Sequence, residues 1–136
     1  MVERTLARAD AELMAAQYSA EAWERFTHAH LAALRAAAAV VAARGRPAGR
    51  GAPPTVWAML AEVAPELARW ATLFADGAST RAAIEAGWFD AVTVGRAEQA
   101  LCDAEDFVDV ARAVVAESER GTRAGAAPRM LAVRAS

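Results

Sequence analysis

The sequence contains a single cysteine and neither lysine nor asparagine. A lone Cys102 excludes an internal disulfide and a zinc site built from several cysteines. All fifteen basic residues are Arg, which together with the abundance of Ala indicates a GC-rich coding bias and lowers the functional weight of any single Arg. Seventeen acidic residues bring the formal net charge to −2 at pH 7, which does not indicate a dedicated nucleic-acid binder of high isoelectric point.

Long apolar runs, strand-like alternation and internal repeats are also missing. No stretch approaches the roughly 20 apolar residues that cross a bilayer, and the opening MVERTLARAD lacks the apolar core of a signal peptide. We therefore expect a cytoplasmic protein with no membrane contact. The length of 136 residues predicts a single domain, and the lack of period-2 segments excludes a sheet.

What remains is helical periodicity, which is strongest between Ser19 and Gly45. Apolar residues recur there at intervals of three, four and seven, as in the series Trp23, His30 and Ala37. Ser19 is predicted as the N-cap, and Gly45 as the residue that ends the helix. Since the run of Ala in this stretch lets neighbouring helices approach closely, we expect this long amphipathic helix to be the centre of the fold.

The same reasoning predicts the remaining helices and thus an all-α, up-and-down bundle of four to five helices. Pro65 should kink or restart the third of them. The predicted spans, in order, are Thr5–Ala16, a helix capped by Thr55 that ends at 75–77, a short helix Ser79–Ala86 closed by Gly87, and a helix from its cap Thr93 to about Ala116.

Two basic segments flank this bundle, which we assign to residues 1–117. The loop 44–54 contains Arg44, Arg46 and Arg50, three Gly, three Pro and no acid, so it is predicted to be a flexible connector. A phosphate-binding role of these three Arg is the alternative, although no P-loop or dinucleotide-binding motif is present. The tail 118–136 is rich in Arg, Gly and Ala and is expected to be disordered.

His30 is the candidate that carries most chemical interest, because it lies on the apolar face of the long helix. A neutral histidine that bonds a carboxylate or a backbone carbonyl across the bundle is one interpretation. A ligand contact or general base in a pocket between helices is the other. His28 lies on the opposite face, so this helix predicts no metal site.

Carboxylates on the last helix form the second candidate. Asp103, Asp106 and Asp109 follow one another at intervals of three, which suits either a solvated acidic face or a pair for acid–base work or a divalent ion. We favour the solvated face, since no second cluster exists to complete a metal shell. Cys102 has no histidine near it in sequence, and no cofactor is predicted.

Three strings of the sequence resemble the HEPN superfamily, the higher-eukaryote and prokaryote nucleotide-binding domains, in a small branch typical of actinobacteria. They are RFTHAHLAALRAAAAVVAARGRP, VWAMLAEVAPELARWATLFADGA and VTVGRAEQALCDAEDFVDVARAVV, and the similarity extends from about Tyr18 to Val115. The resemblance implies an all-α bundle that is often homodimeric. It also implies either a ribonuclease, with an Arg and a His four to six residues apart at the start of the last long helix, or a non-catalytic nucleotide-binding or protein-interaction module.

The sequence has an Arg–His pair of this spacing, but on a different helix. Arg25 and His30 lie on the first long helix, and five residues of α-helix turn their side chains roughly 140° apart. No His follows Arg96, at the expected position. We therefore predict a non-catalytic, homodimeric module that binds a protein partner, a nucleotide or RNA. The alternative is a ribonuclease in which a dimer brings Arg25 or Arg96 of one chain to His30 of the other.

Overall fold

Five α-helices make up the chain in the computed structural model, which describes residues 1–47, 51 and 55–135, with side chains through 124. They are α1 (Val2–Gln17), α2 (Ala22–Arg44), α3 (Val56–Val63), α4 (Ala68–Glu85) and α5 (Val94–Ala135), with 3₁₀ turns at Pro65–Leu67 and Phe89–Ala91. None of the described residues is in a strand. The predicted all-α bundle is confirmed.

Helix α2 is the centre of the bundle and packs against all four other helices. Its buried surface is mostly methyl groups, because six of its alanines are almost fully inaccessible: Ala29, Ala32, Ala33, Ala36, Ala37 and Ala39. Such small side chains allow neighbouring backbones to come close. The predicted role of the long helix is therefore confirmed.

The length and apolar composition of α2 also meet the requirements of a membrane-spanning helix. The most apolar window of α2 is 56% buried inside the bundle. A central helix of a helical bundle has these same properties, since it is surrounded by other helices.

Aromatic rings fill the wider space on the side of α2 where α3, α4 and α5 meet. Phe74 of α4 lies at the centre of this cluster, with its ring centroid 5.4 Å from that of Trp57 and 5.2 Å from that of Phe107. Trp70 packs on Phe107 at 5.5 Å. Thin alanine contacts on one side and bulky rings on the other make up a single core.

Several predicted helix ends are confirmed at the level of individual hydrogen bonds. Thr55 Oγ1 accepts from the Ala58 N–H and Thr93 Oγ1 from the Arg96 N–H, both at 3.1 Å. Gly45 ends α2 with φ of +94°, which is the left-handed region that favours glycine. The chain breaks at Pro65, between the end of α3 and the start of α4, as predicted.

The prediction for Gly77 was wrong. The expected end at 75–77 and the separate helix 79–86 do not exist, because α4 continues through Gly77 to Glu85. Gly77 is buried and sits against α2, so it serves close packing and not chain reversal. After α4, the residue that adopts a left-handed conformation is Gly87, with φ of +102°.

Ser19 does not cap α2, contrary to prediction. The N-cap is Glu21, and the Ser19 hydroxyl donates instead to the Ala15 carbonyl at 2.7 Å. Ser19 therefore satisfies a carbonyl in the last turn of α1, because the tight connection places it closer to that turn.

Helix α5 continues past its predicted end near Ala116 and reaches Ala135. Ser118 still contacts α2, with its hydroxyl donating to the Ala43 carbonyl at 3.3 Å, whereas every side chain from 119 to 124 is exposed. The division into a bundle of residues 1–117 and a tail 118–136 stays a prediction.

Enlarging a buried alanine of α2 should destabilise the protein. Ala33→Leu should lower the free energy of unfolding by about 1–3 kcal/mol, because three extra carbons do not fit between close-packed backbones. The exposed Ala82→Leu should change it by less than about 0.5 kcal/mol, since Leu and Ala are both good helix formers. Urea unfolding measures both, and equal effects would contradict the proposed close packing of α2.

Candidate functional site

His30 lies in the middle of α2 and is enclosed by aromatic rings. Its side chain is 3% exposed. The imidazole is stacked with Phe26 at 6.0 Å between centroids and meets Trp57 and Phe74 edge-on at 5.9 and 6.4 Å. The predicted burial of His30 is therefore confirmed.

Both ring nitrogens of His30 have partners. Nε2 lies 2.8 Å from the Phe74 carbonyl oxygen, and Nδ1 lies 3.2 Å from Nη1 of Arg81. A carbonyl can only accept and a guanidinium can only donate. The hydrogen is therefore on Nε2, and the lone pair of Nδ1 accepts from Arg81. These two contacts define a neutral imidazole in one tautomer.

The surroundings lower the pKa of His30 below its ordinary value of 6.5. Burial is the main cause, because it penalises the charged imidazolium. The bond to the Phe74 carbonyl and the charge of Glu85 act in the opposite direction, while the positive charges of Arg81 and Arg96 add to the decrease. Protonation of Nδ1 would also direct a hydrogen at the guanidinium of Arg81.

Arg81 is a site residue that sequence reasoning missed. It extends from α4 to His30 and also forms an ion pair with Glu85, Nε to Oε1 at 3.1 Å. The spacing of four between Arg81 and Glu85 is a visible helix pair in the sequence. Nothing in the sequence indicates the contact with His30, because the two residues are 51 positions apart.

Arg96 is close to His30 within a single chain, on the same side of the bundle. Its guanidinium carbon is 5.3 Å from the centroid of the Phe26 ring, a cation–π contact. Arg96, Asp103 and His30 line one small cavity. The cavity volume of about 10 Å³ admits about one water molecule, which is far too little for a nucleotide.

Arg25 faces away from His30, as the helical geometry predicts, but it does not extend freely into solvent. Its Nε donates to the Ala16 carbonyl at 3.2 Å and its Nη2 to the Ser19 carbonyl at 2.7 Å. The Ala16 carbonyl belongs to the last turn of α1, where a positive charge is favourable, and the Ser19 carbonyl belongs to the connection that follows it. Arg25 therefore joins α1 to α2, and it does not form a pair with His30.

Of the three predicted phosphate-binding arginines, Arg44 is exposed but forms an ion pair within the chain. Its guanidinium donates to both carboxylate oxygens of Glu66, at 3.0 and 2.6 Å, and to the Val63 carbonyl at 3.2 Å. The bonds from Arg44 lower the pKa of Glu66. Arg46 is exposed, and Arg50 lies outside the described residues. Phosphate binding by this loop stays a prediction.

The other candidates lie on the surface. Asp106 and Asp109 are exposed, while Asp103 accepts from the Gln99 side chain at 2.9 Å. His28 Nδ1 is 2.7 Å from Glu12 of α1. Among the residues that the structure describes, no three His, Cys, Asp or Glu side chains converge as a metal site would require.

Most of the chain matches a known protein family. The model of a family described as SAV_6107-like HEPN matches residues 16–114 of the chain. The chain is a member of this HEPN family. No curated protein and no solved structure matches it. The match of the HEPN domain begins at the end of α1 and covers α2, α3, α4 and the first half of α5, so it includes every residue around His30.

Gly77 lies on α4 of the HEPN domain between Phe74 and Arg81, the two residues that bond His30. A Cβ built on Gly77 would lie 3.2 Å from Cδ2 of His30 and 3.5 Å from Cζ of Phe26. That first distance is shorter than an ordinary van der Waals contact. Since two hydrogen bonds fix the imidazole, it cannot easily move away.

In Gly77→Ala, the close contact with His30 should therefore outweigh the stabilisation of about 1 kcal/mol that Ala normally brings to a helix interior. We expect this variant to be less stable than wild type. Gly95→Ala is the matched control, because a Cβ there meets nothing within 4 Å, and it should raise the free energy of unfolding by about 0.5 kcal/mol. Chemical unfolding compares the two, and equal stabilisation would mean that His30 is free to move.

The buried, neutral His30 should make the HEPN domain less stable in mild acid. Above the unfolded pKa of about 6.5 His30 is neutral in both states, so it adds no pH dependence. Below it the unfolded chain binds a proton that the folded chain binds only at lower pH. The free energy of unfolding should therefore fall, by up to about 1.4 kcal/mol at pH 5.5.

His30→Gln is the matched reference for this measurement. Its amide N–H can donate to the Phe74 carbonyl and its oxygen can accept from Arg81, but it does not titrate. Unfolding free energies at pH 7.5 and 5.5 should differ more in wild type than in this variant. Parallel pH profiles would show that His30 has the same pKa in both states.

Proposed function

We propose that this HEPN domain is a non-catalytic, homodimeric interaction module of the cytoplasm. The observation that carries the proposal is the state of His30, which is buried, neutral and hydrogen-bonded through both ring nitrogens. A general base needs a free lone pair within hydrogen-bond reach of the proton that it removes. The Nδ1 lone pair is already used by Arg81.

A ribonuclease with His30 at a dimer interface is the alternative that these contacts disfavour. Such a site requires ring surface that a second chain and an RNA can reach, and the 3% exposure of His30 leaves almost none. Arg25 donates to one carbonyl of α1 and to one in the connection between α1 and α2. Arg96 lies over the ring of Phe26. Each of these candidates thus has an internal role that explains its position.

Protein binding is better supported than binding of RNA or a nucleotide. The phosphate-binding hypothesis depends on Arg44, Arg46 and Arg50, and Arg44 is held by Glu66. The formal charge of −2 also opposes polyanions. Large apolar side chains, by contrast, are exposed on the surface, and such patches are typical of protein interaction sites.

An RNA cleavage assay tests the proposal directly. End-labelled single-stranded RNA incubated with the purified protein should stay intact, with or without Mg²⁺, and wild type should match His30→Gln. That variant keeps the hydrogen bonds of the site and so separates loss of chemistry from loss of folding. Cleavage by wild type that the variant abolishes would overturn the non-catalytic proposal.

Analytical ultracentrifugation of the same preparation tests the homodimer. We expect a mass twice the 14.3 kDa of one chain. A monomer across the micromolar range would remove the dimer from the proposal and leave the interaction module as a single copy.

A further inference from the structure

One end of the bundle carries four of the nine aromatic residues of the chain. Tyr18 lies in the α1–α2 connection and Trp23 in the first turn of α2, while Trp88 and Phe89 lie in the α4–α5 connection. The rings of Trp23 and Phe89 stack at 4.5 Å between centroids, which joins the two connections. We refer to these four residues and Val94 as the aromatic end.

Four residues of the aromatic end are far more exposed than the aromatic side chains of the core, while Trp23 is half-buried. The exposed fractions are 84% for Tyr18, 67% for Trp88, 51% for Phe89 and 62% for Val94. Phe26 and Phe107, in the core, are at most 1% exposed. Concentrated exposure of large rings at one place marks a surface that a partner covers, because isolated apolar side chains are the usual case on a free surface.

Carboxylates accompany these rings without basic partners of their own. Glu21 and Asp90 are exposed, and neither takes part in an ion pair within the part of the chain that the structure describes. The two Arg nearest in sequence are directed elsewhere, because the guanidinium of Arg25 donates to backbone carbonyls and that of Arg96 lies over the Phe26 ring. The aromatic end therefore combines π faces with exposed carboxylates that no Arg of the described residues contacts as an ion pair.

We infer that the aromatic end binds a partner polypeptide segment in which Arg or Lys side chains stand beside apolar ones. Indole and phenol faces attract guanidinium and ammonium groups, and Glu21 and Asp90 supply the opposite charge that fixes their position. A nucleic acid would bring phosphates against these acids. A second copy docked through the same surface would bring the two acids against their own counterparts. This inference rests on the proposed interaction function and specifies its partner.

The indole N–H signals of the four tryptophans allow a site-resolved test. The probe is a synthetic amphipathic peptide of Arg and Leu, titrated into ¹⁵N-labelled protein, with a matched peptide in which Glu replaces Arg. The Arg peptide should shift the signals of Trp88 and Trp23 and leave that of the buried Trp57 in place. The Glu peptide should shift none of them.

Variants then identify the groups that recognise the peptide. Trp88→Ala removes an exposed ring and should weaken binding at least about tenfold. Asp90→Asn together with Glu21→Gln should weaken it and flatten its salt dependence. Asp109→Asn is the matched control, since Asp109 is an exposed acid on α5 away from this end, and it should leave the affinity unchanged.

Three results would overturn the inference. The first is an unchanged Trp88 signal at millimolar Arg peptide, and the second is equal binding of the Glu peptide or of oligouridylate. The third is conversion of a dimer to a monomer by Trp88→Ala, which would assign the surface to a second copy. None of these three results depends on RNA cleavage. A failure of the peptide-binding inference can therefore be told apart from a failure of the non-catalytic proposal.

Discussion

The fold depends on how closely four helices can approach α2. Six of the ten buried residues of α2 are alanines between Ala29 and Ala39, so the neighbouring backbones can come close to this helix. Rings from α3, α4 and α5 then fill the one region where the helices diverge. His30 sits at the border between the alanine surface and the ring cluster, and this position decides its chemistry. A polar group enclosed there must find its partners inside the protein.

The two partners of His30 come from one helix, which makes α4 the element that defines the site. Phe74 contributes its carbonyl and Arg81 its guanidinium, and Gly77 between them allows the approach. The imidazole is thus used as a structural connector between α2 and α4. A histidine in this role has no free nitrogen for acid–base work, because both of its ring nitrogens are used to hold α2 and α4 together.

Local sequence signals were sufficient for much of this structure. Periodicity identified α2, and turn and cap chemistry located Thr55, Pro65 and Thr93 correctly. The place of His30 on an apolar face indicated that it points inward, whereas the choice between a carboxylate, a backbone carbonyl and a ligand as its partner was left open. Gly77 was misread as a helix end, because glycine ends helices and permits close packing alike, and only the tertiary neighbour distinguishes the two.

The remaining errors have the same origin. Ser19 is a good N-cap by composition, yet the short connection after α1 gives it a nearer carbonyl to satisfy. Arg81 could not be assigned to His30 because no local pattern links residues so far apart in the chain. The residues of the aromatic end come from separate parts of the sequence, and the stacking of Trp23 on Phe89 is what makes them one surface.

The ion pair between Arg44 and Glu66 has a consequence for how this domain can diversify. Together with the bond from Arg44 to the Val63 carbonyl, it fixes the end of α2 to the turn before α4. The end of α3 is thus held against the end of α2 by contacts that do not depend on the length of the segment 45–55 that joins the two helices. Since the entropy of closing a loop grows only slowly with its size, residues could be inserted or removed after Arg46 with little effect on the packing of the helices.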